Sequence, residues 1–345
     1  MKKARMLSAG MLPLLLSACL SCGPAADLRD FADADLFPPV IENVLPVDEY
    51  CIRLIFNEPV ELNGSPELIP DLGEAAVNID ENTIILTCTE PQQAGTRYVI
   101  DAEVGDATGN RMAFLVPFYG FNPYLPELII NEFTTQGSTT HPDIAELQIT
   151  SDGNLAGLWI VEGTTDFPEE SICLPSCEVA AGDYLLIHFK PQGIDSEIDE
   201  TGDNLAVSEG YDASPAARDF WVEGGGGLSG NNGVVAAYTA PGGKLIDAVL
   251  YSNRTSSSDE NYDGFGSSRM LDKAVQIVTE GGWTASGDEG KPRPEDGINP
   301  DDSTATRSIC RSSEPVDSDS KTDWHIVPTS NSTFGEINTD DEYVP

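Results

Sequence analysis

The residues best suited to chemistry in this chain are carboxylates and cysteines, and their spacing decides how far each can be taken. Asp259, Asn261 and Asp263 precede Gly264 in the layout D-x-N-x-D-G, the first half of a calcium loop. Alternate oxygens in that layout converge on one hard cation while the glycine makes the sharp turn. The closing acid expected at the twelfth position is missing, since Met270 stands there and Asp272 follows two later. In so acidic a chain a solvated loop is the plainer expectation, so no cofactor is required and calcium is the one that the residues suggest. Cys51 and Cys88 fall on expected strands of one domain and can cross-link it, and Cys173 and Cys177, in Cys-Leu-Pro-Ser-Cys, can close a small loop. A zinc site at that second pair needs two more ligands, for which only His188 and His325 offer themselves, so a disulfide is expected. The three histidines, His141, His188 and His325, are scattered, and strand or packing roles account for them. Gly227-Leu228-Ser229-Gly230 is not G-x-S-x-G, and Gly224 to Gly227 lacks the Lys-Ser/Thr of a phosphate loop. Glu132 and Glu146 form a tempting carboxylate pair, yet nothing in the sequence buries them, and sheet-surface or turn-bonding roles are expected. No catalytic residue is assigned, and the chain reads as a non-enzyme.

The totals narrow the partners. The chain has 345 residues, 58 acids against 18 bases and a formal charge of −40. Lys2, Lys3 and Arg5 lie in a segment expected to be removed, which deepens the acidity of what remains. Such a surface repels phosphate backbones and anionic headgroups, so no nucleic-acid partner is expected. Divalent cations and basic partners stay open. The length suits two folded units.

Those groups must be positioned by strands. Residues 1–18 read as a signal peptide: bases at Lys2, Lys3 and Arg5, then an apolar stretch from Met6 to Leu16, about half of the ~20 residues a spanning helix needs. Leu16-Ser17-Ala18-Cys19 resembles the lipobox of bacterial lipoproteins, which implies a thioether-linked diacylglycerol on Cys19 and a membrane held through acyl chains. Residues 19–36 are Ala/Asp-rich and read as a flexible tether. Residues 37–121 alternate in strand fashion at Ile52, Leu54 and Phe56 and again at Tyr98, Ile100, Ala102 and Val104, the pattern of a β-sandwich. Asp106 opens an Asp-x-x-Gly-Asn run that suits a tight turn better than a metal site. Residues 122–126, Asn-Pro-Tyr-Leu-Pro, are the expected linker. Residues 127–338 form the second domain. Ala145, Leu147 and Ile149 fall on one face of a strand there and Glu146 and Gln148 on the other, and Ser268 to Val278 is its one expected helix, with Met270, Leu271, Ala274 and Val275 at helical spacing. Its polar excursions, such as Ile194 to Asn204 and Asp288 to Ser320, are expected to decorate the sandwich ends and offer the recognition surface. Residues 339–345 are expected to be a disordered acidic tail.

Two resemblances sharpen this outline. Ile55-Phe56-Asn57-Glu58-Pro59-Val60 with Asp106-Ala107-Thr108-Gly109-Asn110 resembles the bacterial Ig-like domains of surface proteins. Ile130-Asn131-Glu132, Ile144-Ala145-Glu146-Leu147, Asn154 to Trp159, Ala181 to Leu186, Gly243 to Tyr251, Asp323-Trp324 and Phe334 to Asn338 occur in the order of a lamin-tail domain. That resemblance spans about 200 residues, more than such a module needs, so long insertions are expected. Together they imply an all-β chain of two immunoglobulin-like β-sandwiches in tandem, the second enlarged by long loops. The expected function is a lipid-anchored, non-enzymatic protein of the bacterial cell envelope, on the outer membrane or cell surface, whose second sandwich binds an unknown protein or matrix ligand. The alternative is an accessory or cryptic hydrolase, because bacterial lamin-tail-like domains often accompany nuclease modules.

Overall fold

Side-chain alternation builds the first sandwich. In strand β2 (Cys51–Phe56), Ile52, Leu54 and Phe56 are buried while Arg53 faces out. The same period puts Ile84, Leu86 and Cys88 of β6 (Thr83–Cys88) inside, as a strand buried on one face requires. The computed structural model describes residues 35–345; the signal segment, Cys19 and most of the expected tether lie outside the described residues. Pro38–Pro345 form one compact unit. One sheet runs β1 (Ile41–Pro46), β2, β6, β5 (Ala75–Asp80); the other runs β3 (Glu61–Leu62), β7 (Arg97–Gly105), β4 (Glu67–Ile69), with β8 (Arg111–Tyr119) also paired to β7. Their facing sides share one apolar core that includes Leu54, Phe56, Leu86, Ile100 and Phe118.

The second sandwich is larger. Its six-stranded sheet has the order β16 (Arg218–Trp221), β15 (Tyr184–His188), β10 (Ile144–Ile149), β9 (Leu128–Thr134), β19 (Ile309–Arg311), β20 (Trp324–Ile326). The opposing sheet has the order β13 (Pro168–Cys173), β12 (Trp159–Gly163), β17 (Asn232–Tyr238), β18 (Leu245–Ser252), and a small pair joins β11 (Gly153–Asn154) to β14 (Glu178–Val179). The chain is all-β, with one α-helix among the described residues. That helix, α1 (Ser268–Thr279), begins where the Ser267 hydroxyl accepts from the Met270 amide, an N-cap that satisfies one of the first turn's free donors. It packs on β17 and β18. Its buried face carries Met270, Lys273, Ala274 and Ile277, and Val275 is 41% exposed. The buried stripe is therefore rotated from the expected one, because the Lys273 ammonium finds Glu169 at 2.6 Å and the stem can lie in the core.

The expected linker is a pinned junction. Asn122 Nδ2 donates to the carbonyls of Asn154 and Ala156 at 2.8 and 2.9 Å, and the Asn154 amide donates to Tyr124 O at 2.6 Å. Gly95 meets Ala156 and Gly157 so closely that a Cβ on Gly95 would lie 2.7 Å from the Gly157 nitrogen. The chain's end is also docked: Tyr343 N donates to Ile326 O at 2.7 Å, and the Arg307 guanidinium sits 4.1 Å over the Tyr343 ring. The long excursions fold inward as well. Glu200, 1% exposed, accepts from the amides of Val207, Ser208 and Asp219, which gives the connection between the parallel strands β15 and β16 internal partners.

Candidate functional site: a buried polar face on the second sandwich

Strands β9 and β10 pair with Glu132 opposite Glu146, and the register then shifts so that Leu147 lies opposite Ile130. Asn131 is the extra residue, a β-bulge that re-aims side chains. Ala145 and Leu147 belong to the inner core, so the alternate residues Glu132 and Glu146 occupy the outer face. Both are fully buried. This corrects the expected sheet-surface role, and the reason is a strap: the C-terminal segment after β20 crosses that face. Glu132 accepts from Thr333 N at 3.0 Å, from Thr333 Oγ1 at 2.7 Å and from the Ser308 hydroxyl. Glu146 accepts from Asn131 Nδ2 at 2.7 Å and from Gly335 N. Asn338 closes the network, donating to Asn131 Oδ1 at 3.0 Å and to Arg311 O at 2.9 Å. Burial, and then the charge of Glu132, push Glu146 well above the ordinary carboxylate range; burial raises Glu132 despite its hydrogen bonds.

Beside this pair stands Arg311, which is fully buried. Its guanidinium donates to Ile130 O at 2.8 Å, Val316 O at 2.7 Å and Asp317 Oδ1 at 3.1 Å, lies 3.6 Å from Asp247 Oδ2, and stacks 4.6 Å over Trp324. Asp247 in turn accepts from Ile130 N at 2.6 Å. Burial lifts Asp247 to about 7 even with Arg311 alongside. One oxygen from each of Asp247, Asp317 and Asp319 lies within 4.8 Å of the other two. The acids could hold a cation, but Arg311 already supplies a positive charge bonded to two of them. Cys310 and His325 are also paired here, with Sγ 3.6 Å from Nε2. Burial first, then Glu132 and Glu146, raise the Cys310 thiol far from the thiolate range, and His325 Nε2 has a second partner in Thr339 O at 3.0 Å. The pair is packed, not activated.

A third group lies toward α1. Glu162, 3% exposed, accepts from Ser229 N at 2.8 Å and lines a cavity of about 180 Å³ with Glu169, Arg269 and Lys273. Burial raises its carboxyl to about 7. This is an acid/base group that the sequence did not single out, since its signal, one acid inside the apolar run Trp159–Gly163, is the same as that of any edge-facing residue.

The other expected sites disperse. Asp259 spends its carboxylate on the amides of Asn261, Tyr262 and Gly266 at 3.1, 2.7 and 2.7 Å, while Asn261 and Asp263 are exposed in the same turn. Asp106 behaves in the same way: partial desolvation is outweighed by donors from Asn110, Thr108 and Gly109, which hold it at about 2. The five described cysteines are free thiols. Cys51 pairs across the ladder with Thr87, so Cys88, one residue on, points to the opposite face of the pleat and into the core, and the expected Cys51–Cys88 bridge is not formed. Cys173 Sγ contacts Gly157 O and Cys177 Sγ contacts Thr201 O, so these thiols also serve separate neighbours. His188 is buried, bonded through Nε2 to Asp219 Oδ1 at 2.8 Å and stacked on Trp221 at 3.7 Å; His141 bonds Asp212 at 2.7 Å near the surface.

A protein of Treponema pallidum (strain Nichols), described as an uncharacterized protein, is 26% identical over 159 residues, which are 46% of this chain and 40% of that protein. The chain thus spans less than half the length of the curated relative it matches. Among solved structures, L,D-transpeptidase 3 from Mycobacterium tuberculosis aligns over 43% of this chain and 81% of its own, at 10% identity and a TM-score of 0.16; a likeness that low carries no argument. Residues 126–326 match the family described as TP_1001 protein second domain, from the start of β9 to the end of β20. On that match, covering more than half of its length, the chain belongs to the TP_1001 second-domain family.

Proposed function

We propose that this is a lipid-anchored, non-enzymatic protein of the bacterial cell envelope, in which an Ig-like first sandwich carries a lamin-tail-like binding module. The observation that carries the reading is where the second sandwich spends its buried carboxylates. Glu132, Glu146 and Glu200 are bonded to amides and hydroxyls of the chain itself, and Asp247 to an amide and Arg311. They hold segments together; an enzyme would aim such groups into a substrate cleft. The lamin-tail resemblance gains support from the same region, because Asn131, Glu132, Glu146 and Asn338, scattered along the sequence, meet on the outer face of one sheet, while Asp247 and Trp324 both meet Arg311. The bases, apolar stretch and Cys19 of the first residues support the anchor. Calcium in the Asp259 loop belongs to the same reading as a stiffener of the exposed surface. Two measurements test it. Inhibiting lipoprotein signal peptidase should accumulate an unprocessed precursor, and protease shaving of intact cells should remove the chain; normal processing under the inhibitor removes the anchor from the proposal.

Glu162 favours the hydrolase alternative, being a carboxyl of about 7 at a cavity wall. That reading requires a catalysed hydrolysis that Glu162→Gln abolishes while the fold persists, and the binding reading requires none.

A further inference from the structure

The two sandwiches meet along a cleft of about 380 Å³, within the size range of small-ligand sites. One wall is the outward face of β1 and its following turn, with Leu45, Pro46 and Val47. The other is the β17–β18 hairpin turn at Ala240 to Lys244, and Phe121 and Leu125 of the junction make the floor. One bond ties the walls together, Asn43 Nδ2 donating to Gly242 O at 3.5 Å, and within the second sandwich Gly242 N donates to Thr165 Oγ1 at 3.1 Å. The cleft is mostly apolar, yet two bases line it. Arg53 reaches it from β2, where it pairs with Leu45, and Lys244 reaches it from the hairpin turn. Neither side chain makes a hydrogen bond or ion pair among the described residues, and no acid lines the cleft. Arg111, Arg254 and Arg269, by contrast, each have a carboxylate oxygen at 3.0, 3.8 and 3.2 Å.

We propose that this cleft binds a free long-chain carboxylate, the acyl chain lying on Leu45, Val47, Phe121 and Leu125 and the carboxylate between Arg53 and Lys244. Charge complementarity selects the head group: the rest of the surface repels anions, so only a site with its own unpaired cations holds one. Each CH₂ buried against the apolar walls adds about 0.8 kcal/mol, close to a fourfold gain in affinity, so chain length selects the tail. The inference concerns residues 45–244 and stands whether or not the N-terminus is acylated.

Calorimetric titration of the full chain with dodecanoate below its micelle concentration tests this. The expected result is one site per chain, with octanoate at least tenfold weaker, dodecan-1-ol at least tenfold weaker, and the double variant Arg53→Gln/Lys244→Gln losing at least tenfold. Both bases are exposed, so that variant should fold normally, as circular dichroism will show. Val47→Asp, a second variant at the apolar wall, should lose dodecanoate binding to a similar degree. Equal affinity for the alcohol, unchanged binding by either variant, or no heat with dodecanoate at millimolar concentration overturns the proposal. So does binding to phosphatidylglycerol vesicles with none to dodecanoate, which would make the cleft a membrane contact.

Discussion

The two sandwiches use the same strand period and bury different things. In the first, the buried polar side chain is Gln92, and the core is apolar from Val44 to Phe118. In the second, Glu132, Glu146, Glu162, Asp247, Lys273 and Arg311 are all buried. The difference lies in layer number. A two-layer sandwich leaves one face of each sheet to water, so acids on outward positions stay solvated. The second sandwich adds α1 on β17 and β18 and the C-terminal strap over β9 and β10, so the outward acids Glu132 and Glu146 become interior ones, while Asp247 is held between the sheets by Ile130 and Arg311. They are retained by hydrogen bonding and at a desolvation cost visible in their raised carboxyl pKa values.

The largest test of this contrast is Arg311→Leu. Removing the cation leaves Asp247 buried without compensation, and truncating one partner of such a pair costs about 3–5 kcal/mol. All four tryptophans lie in the second sandwich, at 159, 221, 283 and 324, so urea unfolding followed by tryptophan fluorescence reads that sandwich directly. Adding Asp247→Asn should recover part of the loss, and a midpoint indifferent to Arg311→Leu would show the knot to be peripheral.

The pH dependence comes next, and its sign separates the regions. Glu162 and Asp247 are raised to about 7, and Glu146 and Glu132 are raised as well. A carboxyl with a folded pKa above its unfolded one favours the fold at low pH, and that stability is lost as pH climbs from the unfolded value through the folded one. The tryptophan-reported transition should therefore weaken between pH 5 and 8. Asp106 in the first sandwich, held at about 2, works the other way, its contribution being lost only as pH falls below about 4. Glu162→Gln should remove part of the second sandwich's slope: on the order of 3 kcal/mol more stable than the parent at pH 8, and unchanged at pH 4.5, where the parent carboxyl is already protonated in the fold.

Smaller effects sharpen the picture. Asn338→Ala deletes the donors to Asn131 and Arg311 O and should cost about 1–3 kcal/mol. If the strap is what seals the acid face, the buried Cys310 should then react faster with maleimide under native conditions, and unchanged labelling would place the seal elsewhere. In the first sandwich, Ile79→Thr on the edge strand β5, where Ile79 is 40% exposed, should shift stability by no more than about 0.5 kcal/mol.

Much of the fold was legible because period-2 alternation is a local property. Ile52-Leu54-Phe56 and Ala145-Leu147-Ile149 point their apolar side chains inward as their spacing requires. The helix at Ser268–Thr279 was marked by its own periodicity, although the buried stripe included Lys273. The acid face was not legible. Glu146 has the sequence surroundings of any solvent-facing strand residue, and Ser308, Thr333 and Gly335, which bond the pair from 176 to 201 residues away in the chain, bury it. The cysteines show the same limit: sharing a domain brought Cys51 and Cys88 together on paper, while the pleat turned them to opposite faces.

By itself, then, the amino-acid order determined strand period, the all-β class and the strong net acidity of the chain, because each depends on neighbours within a few residues or on composition alone. Tertiary structure decided which acids are dry, which cysteines are apart, and that Arg53 and Lys244 share one cleft. Burial is a property of what lies on top of a residue, and here the covering segments come from distant parts of the chain.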